Sequence, residues 1–269
     1  MAASLVSVIM PARNAERTIA EAVASVLAQD HQDIRLLVVN DGSTDGTARI
    51  LDAITDPRLT IIHQPHGGVS KARNAALEQA SGAYVCFLDA DDVMPEGSIT
   101  SRLAVFEQDP GLDFVDGAVV YCDPLMRPTG KRYIPAFSGD PFPLLLAFDR
   151  RCFFGNTWMI RLGTIGAVRF REDLTHVEDL MFYLEIANGG RYGYTPLPVL
   201  HYRVTGESSM VALDRLDRCY RVVLDWMLQH PERVSRAAYL NARRLVRRMM
   251  CGAYWHAKQP WKALRALLR

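Results

Sequence analysis

The first ninety residues predict an α/β fold built on a doubly wound, mostly parallel sheet, and three observations carry that prediction. Apolar, β-prone runs alternate four times with runs at helical spacing. The β-prone runs are apolar almost throughout, as strands covered on both faces are. Polar and glycine residues gather at the ends of those runs, where open α/β sheets bind their ligands.

Leu5 to Met10 reads as the first strand, closed by Pro11. Asn14 is placed to cap a helix in which Ile19, Ala22, Val23, Val26 and Leu27 share one face. Ile34 to Val39 is the second strand, followed by the turn Asn40-Asp41-Gly42-Ser43-Thr44-Asp45-Gly46-Thr47 and a helical segment with Ile50, Leu51 and Ile54. Leu59 to Ile62 is the third strand. Ser70 can cap a helix through Ala72, Ala75, Ala76 and Leu77, and the fourth strand then ends at Asp89. Past Asp92 the pattern loosens. Phe114 to Tyr121 reads as a strand, Asp123 to Asp140 as a Pro- and Gly-rich loop, Glu178 to Asn188 as a helix, and Val199 to Val204 as a strand. From Leu213 onward the chain reads as helical, which divides it into a body, 1–212, and an extension, 213–269.

With 269 residues, 49% of them apolar, the chain can bury a large core. Its net charge of +1 hides a split. Residues 233–269 carry 10 Lys and Arg and no acid, so residues 1–232 hold 21 basic and 30 acidic side chains, a net of −9. An acidic body with a basic tail argues against nucleic acid as a partner. Five scattered cysteines outside zinc-ligand spacing fit a reducing compartment. The first residues lack the pattern of a signal peptide, and the longest apolar run, Phe142 to Phe148, is too short to span a bilayer. The expectation is a cytoplasmic protein, with peripheral contact to the inner face of the plasma membrane through its tail as a further reading.

The fourth strand, Ala83-Tyr84-Val85-Cys86-Phe87-Leu88, runs into Asp89-Ala90-Asp91-Asp92. Three carboxylates in four positions repel one another unless a cation sits among them. A hard divalent ion fits, because such ions take one or two carboxylates and complete their shell with phosphate oxygens and water. A polar turn or helix cap explains the same residues without a ligand.

Four segments then occur in order. They are Pro11-Ala12-Arg13-Asn14, Val39 to Asp45, Gly67-Gly68-Val69-Ser70-Lys71-Ala72-Arg73-Asn74, and Asp89-Ala90-Asp91. They are followed by Phe170-Arg171-Glu172, His176-Val177-Glu178-Asp179, and Tyr202-Arg203 with Ser208-Ser209. In this order and spacing the chain resembles family 2 of the glycosyltransferases, with the GT-A type nucleotide-diphospho-sugar-binding fold. The resemblance covers roughly residues 5–210. It implies a nucleotide-binding half, 1–110, an acceptor-side half, 111–212, and inverting transfer of a sugar from a nucleotide-diphospho-sugar, most readily a UDP-sugar. The acceptor it implies is a hydroxyl of a glycan or lipid-linked molecule, in cell-surface polysaccharide assembly.

The resemblance also implies roles. Pro11, Arg13 and Asn14 would border the nucleotide, and Asp41 would accept from the base edge. Lys71 and Arg73 would face an anionic ligand, since cations in the first turns of a helix work against its dipole. Asp89 and Ala90 would meet the ribose, Asp91 would hold Mn²⁺ or Mg²⁺, and Arg203 would add a charge-assisted bond to the diphosphate. Asp179 would be the general base and Glu178 would orient the acceptor. First-turn acids favoured by a helix N-terminus explain that pair equally well without the resemblance.

Two departures stand out. No His follows Tyr202-Arg203, and His201 precedes it. The Gln-x-x-Arg-Trp sequence and membrane helices of processive synthases are missing, which predicts addition of one sugar or a few before release. Two other readings are a sugar-1-phosphate nucleotidyltransferase and a sugar-nucleotide-binding or membrane-adaptor protein without catalysis. Pro11 to Asn14 is not the Gly-rich phosphate loop of the first, and the set Asp41, Asp89, Asp91 and Asp179 speaks against the second.

In the tail, Tyr239, Ala242, Leu245, Val246, Met249 and Ala253 form one stripe, and Trp261, Leu264 and Leu268 continue it. Arginines fill the other faces. Such helices lie on an anionic membrane surface, pack on the catalytic body, or pair with a second subunit.

Overall fold

The computed structural model describes residues 4–205 and 213–268. Eight strands form one sheet in the order β3-β2-β1-β4-β7-β5-β6, with β8 (Tyr192–Arg203) paired to β5. β1 (Val6–Ala12), β2 (Ile34–Asp41), β3 (Leu59–Gln64) and β4 (Tyr84–Phe87) are mutually parallel. β5 (Phe114–Cys122) runs antiparallel to β6 (Pro128–Tyr133) and β7 (Met159–Arg161), and parallel to β8.

The period-2 alternation of strand side chains sorts the sequence onto two covered faces. Odd-numbered Ile9, Leu37, Val39, Val85 and Phe87 share one core with α3 (Val69–Leu77), α7 (Glu178–Ile186) and α8 (Leu213–Gln229). Even-numbered Val8, Met10, Leu36, Val38 and Cys86 share the other with α1 (Ile19–Leu27), α2 (Thr47–Asp52) and α4 (Ser98–Gln108). Stacked rings tie α7 into the first core. Phe170 lies 4.1 Å from Phe182, and Trp158 lies 4.1 Å from Tyr183. α5 (Phe142–Leu146) joins that face, α6 (Leu162–Ile165) follows β7, and α9 (Arg236–His256) and α10 (Pro260–Leu268) close the chain.

The structure corrects several local expectations. Pro11 does not close β1, which continues to Ala12 with Pro11 opposite Val39. Pairing to β4 has already ended at Ile9, so nothing on that side asks for the donor Pro11 lacks. Asn14 does not cap α1. Its φ of 49° places it in a left-handed turn, and the helix begins four residues after Ala15. Ser70 lies inside α3, whose cap position is Gly68, and its buried hydroxyl has no hydrogen-bond partner. Residues 128–133, expected as loop, form the mostly exposed edge strand β6, where Pro128 at its start costs no ladder bond. Ser208 and Ser209 lie outside the described residues.

Candidate active site

The carboxyl ends of β1, β2 and β4 open onto a cleft of about 990 Å³. Ten of the twelve residues singled out in the sequence line it. From the nucleotide half come Pro11, Arg13, Asn14, Asp41, Arg73, Asp89, Ala90 and Asp91, and from the start of α7 come Glu178 and Asp179. Lys71 and Arg203 are not among the lining residues.

The first wall is made by loops that clamp each other. Asn14 Oδ1 accepts from the Thr44 backbone N–H at 2.9 Å, and the Asn14 N–H donates to Ser43 Oγ at 3.0 Å. Asp41 organises the next loop. Its Oδ1 accepts from Gln64 Nε2 and the Gly67 N–H, both at 2.7 Å, and its Oδ2 accepts from the Gly68 N–H and pairs with His66 Nδ1, both at 2.8 Å. All four lone-pair positions of the carboxylate are thereby used. Burial alone would raise the Asp41 pKa, but these bonds outweigh it and hold the carboxyl below its ordinary value. Glycine is required at two turns here. Gly42 has φ 64° and a Cβ would meet the His66 nitrogen at 2.6 Å, while Gly68 has φ 94°.

Arg73 crosses the floor of the cleft. It is buried, and its guanidinium donates at 2.9 Å both to Asp89 Oδ1 and to Glu178 Oε1. With the Asn156 amide oxygen turned inward, that oxygen accepts from Arg73 at 2.7 and 3.0 Å as well. Burial works against this charge, yet Asp89, Glu178 and Asp179 keep it firmly protonated. Arg73 therefore joins the acids of β4 and α7 and offers no free cation to the cleft. Among the lining residues that role falls to Arg13, which is exposed.

Arg203 is also committed. Its guanidinium donates to the Asp91 carbonyl at 2.6 Å, the Pro124 carbonyl at 2.6 Å and Glu21 at 2.5 Å, and its N–H donates to Asp92 Oδ1 at 2.8 Å. It braces the acidic turn from behind. Lys71 is exposed and its stem lies over Gly67.

The acids themselves are strained electrostatically. Asp92 is buried, and burial followed by the charges of Asp89 and Asp91 pushes its pKa well above the ordinary value. Asp91 is raised by burial and by Asp89, although its side chain reaches solvent. It has no ion pair within 4 Å among the described residues. No described group of three His, Cys, Asp or Glu side chains could cage a metal by itself. A partly exposed carboxylate in an acid-rich mouth does fit a hard cation completed by phosphate and water.

Asp179 stands where this cleft meets a second cavity of about 370 Å³, and both are lined by Arg73, Asp89, Phe154, Glu178 and Asp179. Burial and then the Glu178 charge raise the Asp179 carboxyl above the usual range, with Arg73 pulling the other way. Val177, just before the pair, holds φ 54°, a left-handed conformation costly for a β-branched residue. Strain of that kind marks a turn held in place by its surroundings.

The second cavity also brings together aromatic residues, of which only Tyr202 belongs to a segment singled out in the sequence. Tyr121, Phe154 and Tyr202 pack edge to face at 5.5 to 5.7 Å and line it. Tyr220 of α8 reaches the main cleft, and His66 and His176 border it. His66 was not singled out in the sequence, although its place directly before Gly67-Gly68 was a signal that could have found it. The aromatic group had no such signal, because its members come from three distant segments.

The description "Glycosyl transferase family 2" is that of a family model matching residues 7–172, well over half of the chain. The chain belongs to glycosyl transferase family 2. Within family 2 it is 27% identical over 241 residues to a chondroitin synthase of Pasteurella multocida, covering 87% of this chain but 24% of that protein. The family 2 chain thus spans about a quarter of that relative's length. Its fold is shared with two solved structures. One is S. aureus TarS 1-349 in complex with UDP-GlcNAc, at TM-score 0.70 and 17% identity, covering 97% of this chain and 90% of that one. The other is the mannosyltransferase PcManGT from Pyrobaculum calidifontis in complex with GDP-Man and Mn2+, at TM-score 0.65 and 20% identity, covering 98% and 74%.

Proposed function

We propose that this chain is an inverting glycosyltransferase that takes a nucleotide-diphospho-sugar, a UDP-sugar by preference, and transfers the sugar to a hydroxyl of a glycan or lipid-linked acceptor. The observation that carries the reading is the position of Asp179. A carboxylate with a raised pKa lies at the junction of an acid-rich cleft and a smaller aromatic-lined cavity. A general base works best when its pKa approaches the operating pH, and Asp179 has been moved in that direction.

In this reading the donor occupies the larger cleft. Its base lies near Asp41, its ribose near Asp89 and Ala90, and its diphosphate between Arg13 and Asp91. A base N–H reaches Asp41 by displacing the imidazole of His66, whose side chain is about half exposed. Asp91 would hold Mn²⁺ or Mg²⁺ with the diphosphate oxygens, and the ion would offset the negative charge that grows on the leaving group. Arg203 keeps the backbone of that turn fixed. The mannosyltransferase named above was solved with Mn2+, which supports metal dependence here.

The acceptor ring packs against Tyr121, Phe154 and Tyr202, whose faces and edges suit the apolar face of a sugar. Its hydroxyl gives its proton to Asp179 as the oxygen attacks the anomeric carbon. The bond from that carbon to the diphosphate breaks on the opposite side, its electron pair leaving with the nucleoside diphosphate. Glu178, held by Arg73, keeps the Asp179 pKa raised. Likeness to a chondroitin synthase supports a role in polysaccharide assembly. Release after one sugar, or a few, is part of the same proposal, as is the working division into 1–110, 111–212 and 213–269.

The test is nucleoside diphosphate release from a panel of UDP-, dTDP- and GDP-sugars, with Mn²⁺ or EDTA, in wild type and Asp179→Asn. Metal-dependent release from a UDP-sugar, lost in the variant, is the expected result. Release that survives the substitution removes Asp179 from the role of base. Binding of a donor without any turnover favours a sugar-nucleotide-binding protein.

A further inference from the structure

The last helix is built inside out. Surface helices turn their large apolar residues toward the core and their polar residues outward. In α10 the residues packed on α8 and α9 are the small ones, Ala263 and Ala266, which are 2% and 7% exposed. The large ones face away. Trp261 is 83% exposed, Leu264 50% and Leu267 46%. The stripe expected from sequence to continue along α9 and α10 therefore splits. α9 buries Ala242, Val246, Met250 and Tyr254 against its neighbours, while α10 presents its apolar side to solvent. A second tryptophan, Trp255, is 67% exposed at the end of α9.

We propose that this face binds the surface of an anionic bilayer. Charge selects that occupant among the apolar surfaces that could cover it. Residues 233–269 contain no acid, and Arg244 and Arg248 of α9, Lys258 between the helices and Arg265 of α10 are exposed. Among the described residues the acids near α10 come from α8: Asp214, which Lys262 pairs at 2.6 Å, and Asp217 and Asp225, which line a pocket with the buried Ala266 rather than with the exposed apolar residues. A second copy of this chain would set one basic face against another, whereas acidic headgroups answer both. Tryptophan and leucine at the level of the headgroups, flanked by Arg and Lys, are what an interfacial helix needs. Each exposed cation near such a surface strengthens the attraction. Among the described residues no helix is long and apolar enough to cross a membrane. The contact proposed for α10 is a surface one.

The experiment uses the whole chain and sedimentation with vesicles, either pure phosphatidylcholine or phosphatidylcholine with one quarter phosphatidylglycerol. Binding to the anionic vesicles, with a blue shift of tryptophan fluorescence and loss at high salt, is expected. Trp261→Ser with Leu264→Ser should weaken it about tenfold or more, and so should Arg248→Glu with Arg265→Glu. Circular dichroism and donor hydrolysis, unchanged in both pairs, separate lost binding from lost folding. Equal binding to neutral vesicles overturns the charge argument. No vesicle binding, with a concentration-dependent dimer that the same substitutions dissociate, assigns the face to a second copy instead. No binding and no dimer overturns the proposal outright.

Discussion

Arg73 Nη1 lies 2.9 Å from Glu178 Oε1, joining two residues 105 positions apart across the floor of the cleft. One belongs to the helix that follows the Gly67-Gly68 turn, and the other opens α7. The pair couples the half of the fold that would hold the nucleotide to the half that would hold the acceptor.

Breaking that link should be costly. Arg73→Met leaves Asp89 and Glu178 without their cation, and removing one partner of a buried pair costs roughly 3–5 kcal/mol. Thermal unfolding should shift down by about 6 °C or more. Arg73→Lys keeps the charge but not the two-pronged geometry and should fall between. An Arg73→Met protein melting with wild type would show the pair to be incidental.

Asp179→Asn should cost about 10²- to 10⁴-fold in kcat and yet leave the fold as stable or more so. The sign follows from its raised pKa. A carboxyl that is harder to ionise folded than unfolded makes the native state bind more protons, so its share of stability falls as pH rises from the ordinary 3.8 toward about 7. Removing the charge relieves that penalty, and the melting temperature at pH 8 should rise by about 2–4 °C.

The pH profile follows from the same group. The base must be ionised, so kcat should climb through about 7 and level off above it, where an unperturbed carboxylate would already be level below pH 6. Rates measured from pH 5 to 9 on saturating donor give the limb directly.

Asp91 and Asp92 should behave oppositely. Asp91→Asn removes the exposed carboxylate, and the Mn²⁺ needed for half-maximal activity should rise about tenfold or more. Asp92 is buried, and its Oδ1 accepts from the Arg203 N–H, a bond the amide oxygen of Asn can keep, so Asp92→Asn should change activity less than about threefold. EDTA should abolish turnover in both. A metal titration on the two variants distinguishes them.

His66→Ala tests access to Asp41. If the nucleobase displaces the imidazole, its removal should lower or preserve the donor KM. Asp41→Asn should raise KM about tenfold, since one acceptor oxygen becomes an NH₂, and either the Gly67 or the Gly68 N–H loses its acceptor along with part of the base contact. Donor saturation curves for the two proteins decide it.

The parallel half of the fold was legible because its strands follow one another, and their alternation needs no distant partner. Asp41, Asp89 and Asp91 stood out as candidates because each ends or follows a parallel strand, and Asp179 because it lies in the first turn of a helix. Their surroundings were not. That Arg73 pairs with Glu178, or that Arg203 supports the Asp91 turn from behind, depends on segments more than 100 residues apart meeting in space. β6 was missed because an edge strand needs no apolar alternation. Which way the apolar side of α10 faces was left open, because helical spacing reports which residues share a side, never which side meets the protein.

Tyr220 lies in the segment first read as an appendage, yet it lines the cleft beside Asp179, and its neighbours Cys219, Val223 and Trp226 fill the same core as the central sheet. Exchanging this C-terminal segment between relatives would therefore not swap a handle on a finished enzyme. It would replace one wall of the proposed reaction chamber, and chimaeras joined at residue 212 should inherit altered acceptor preference along with any new surface they acquire.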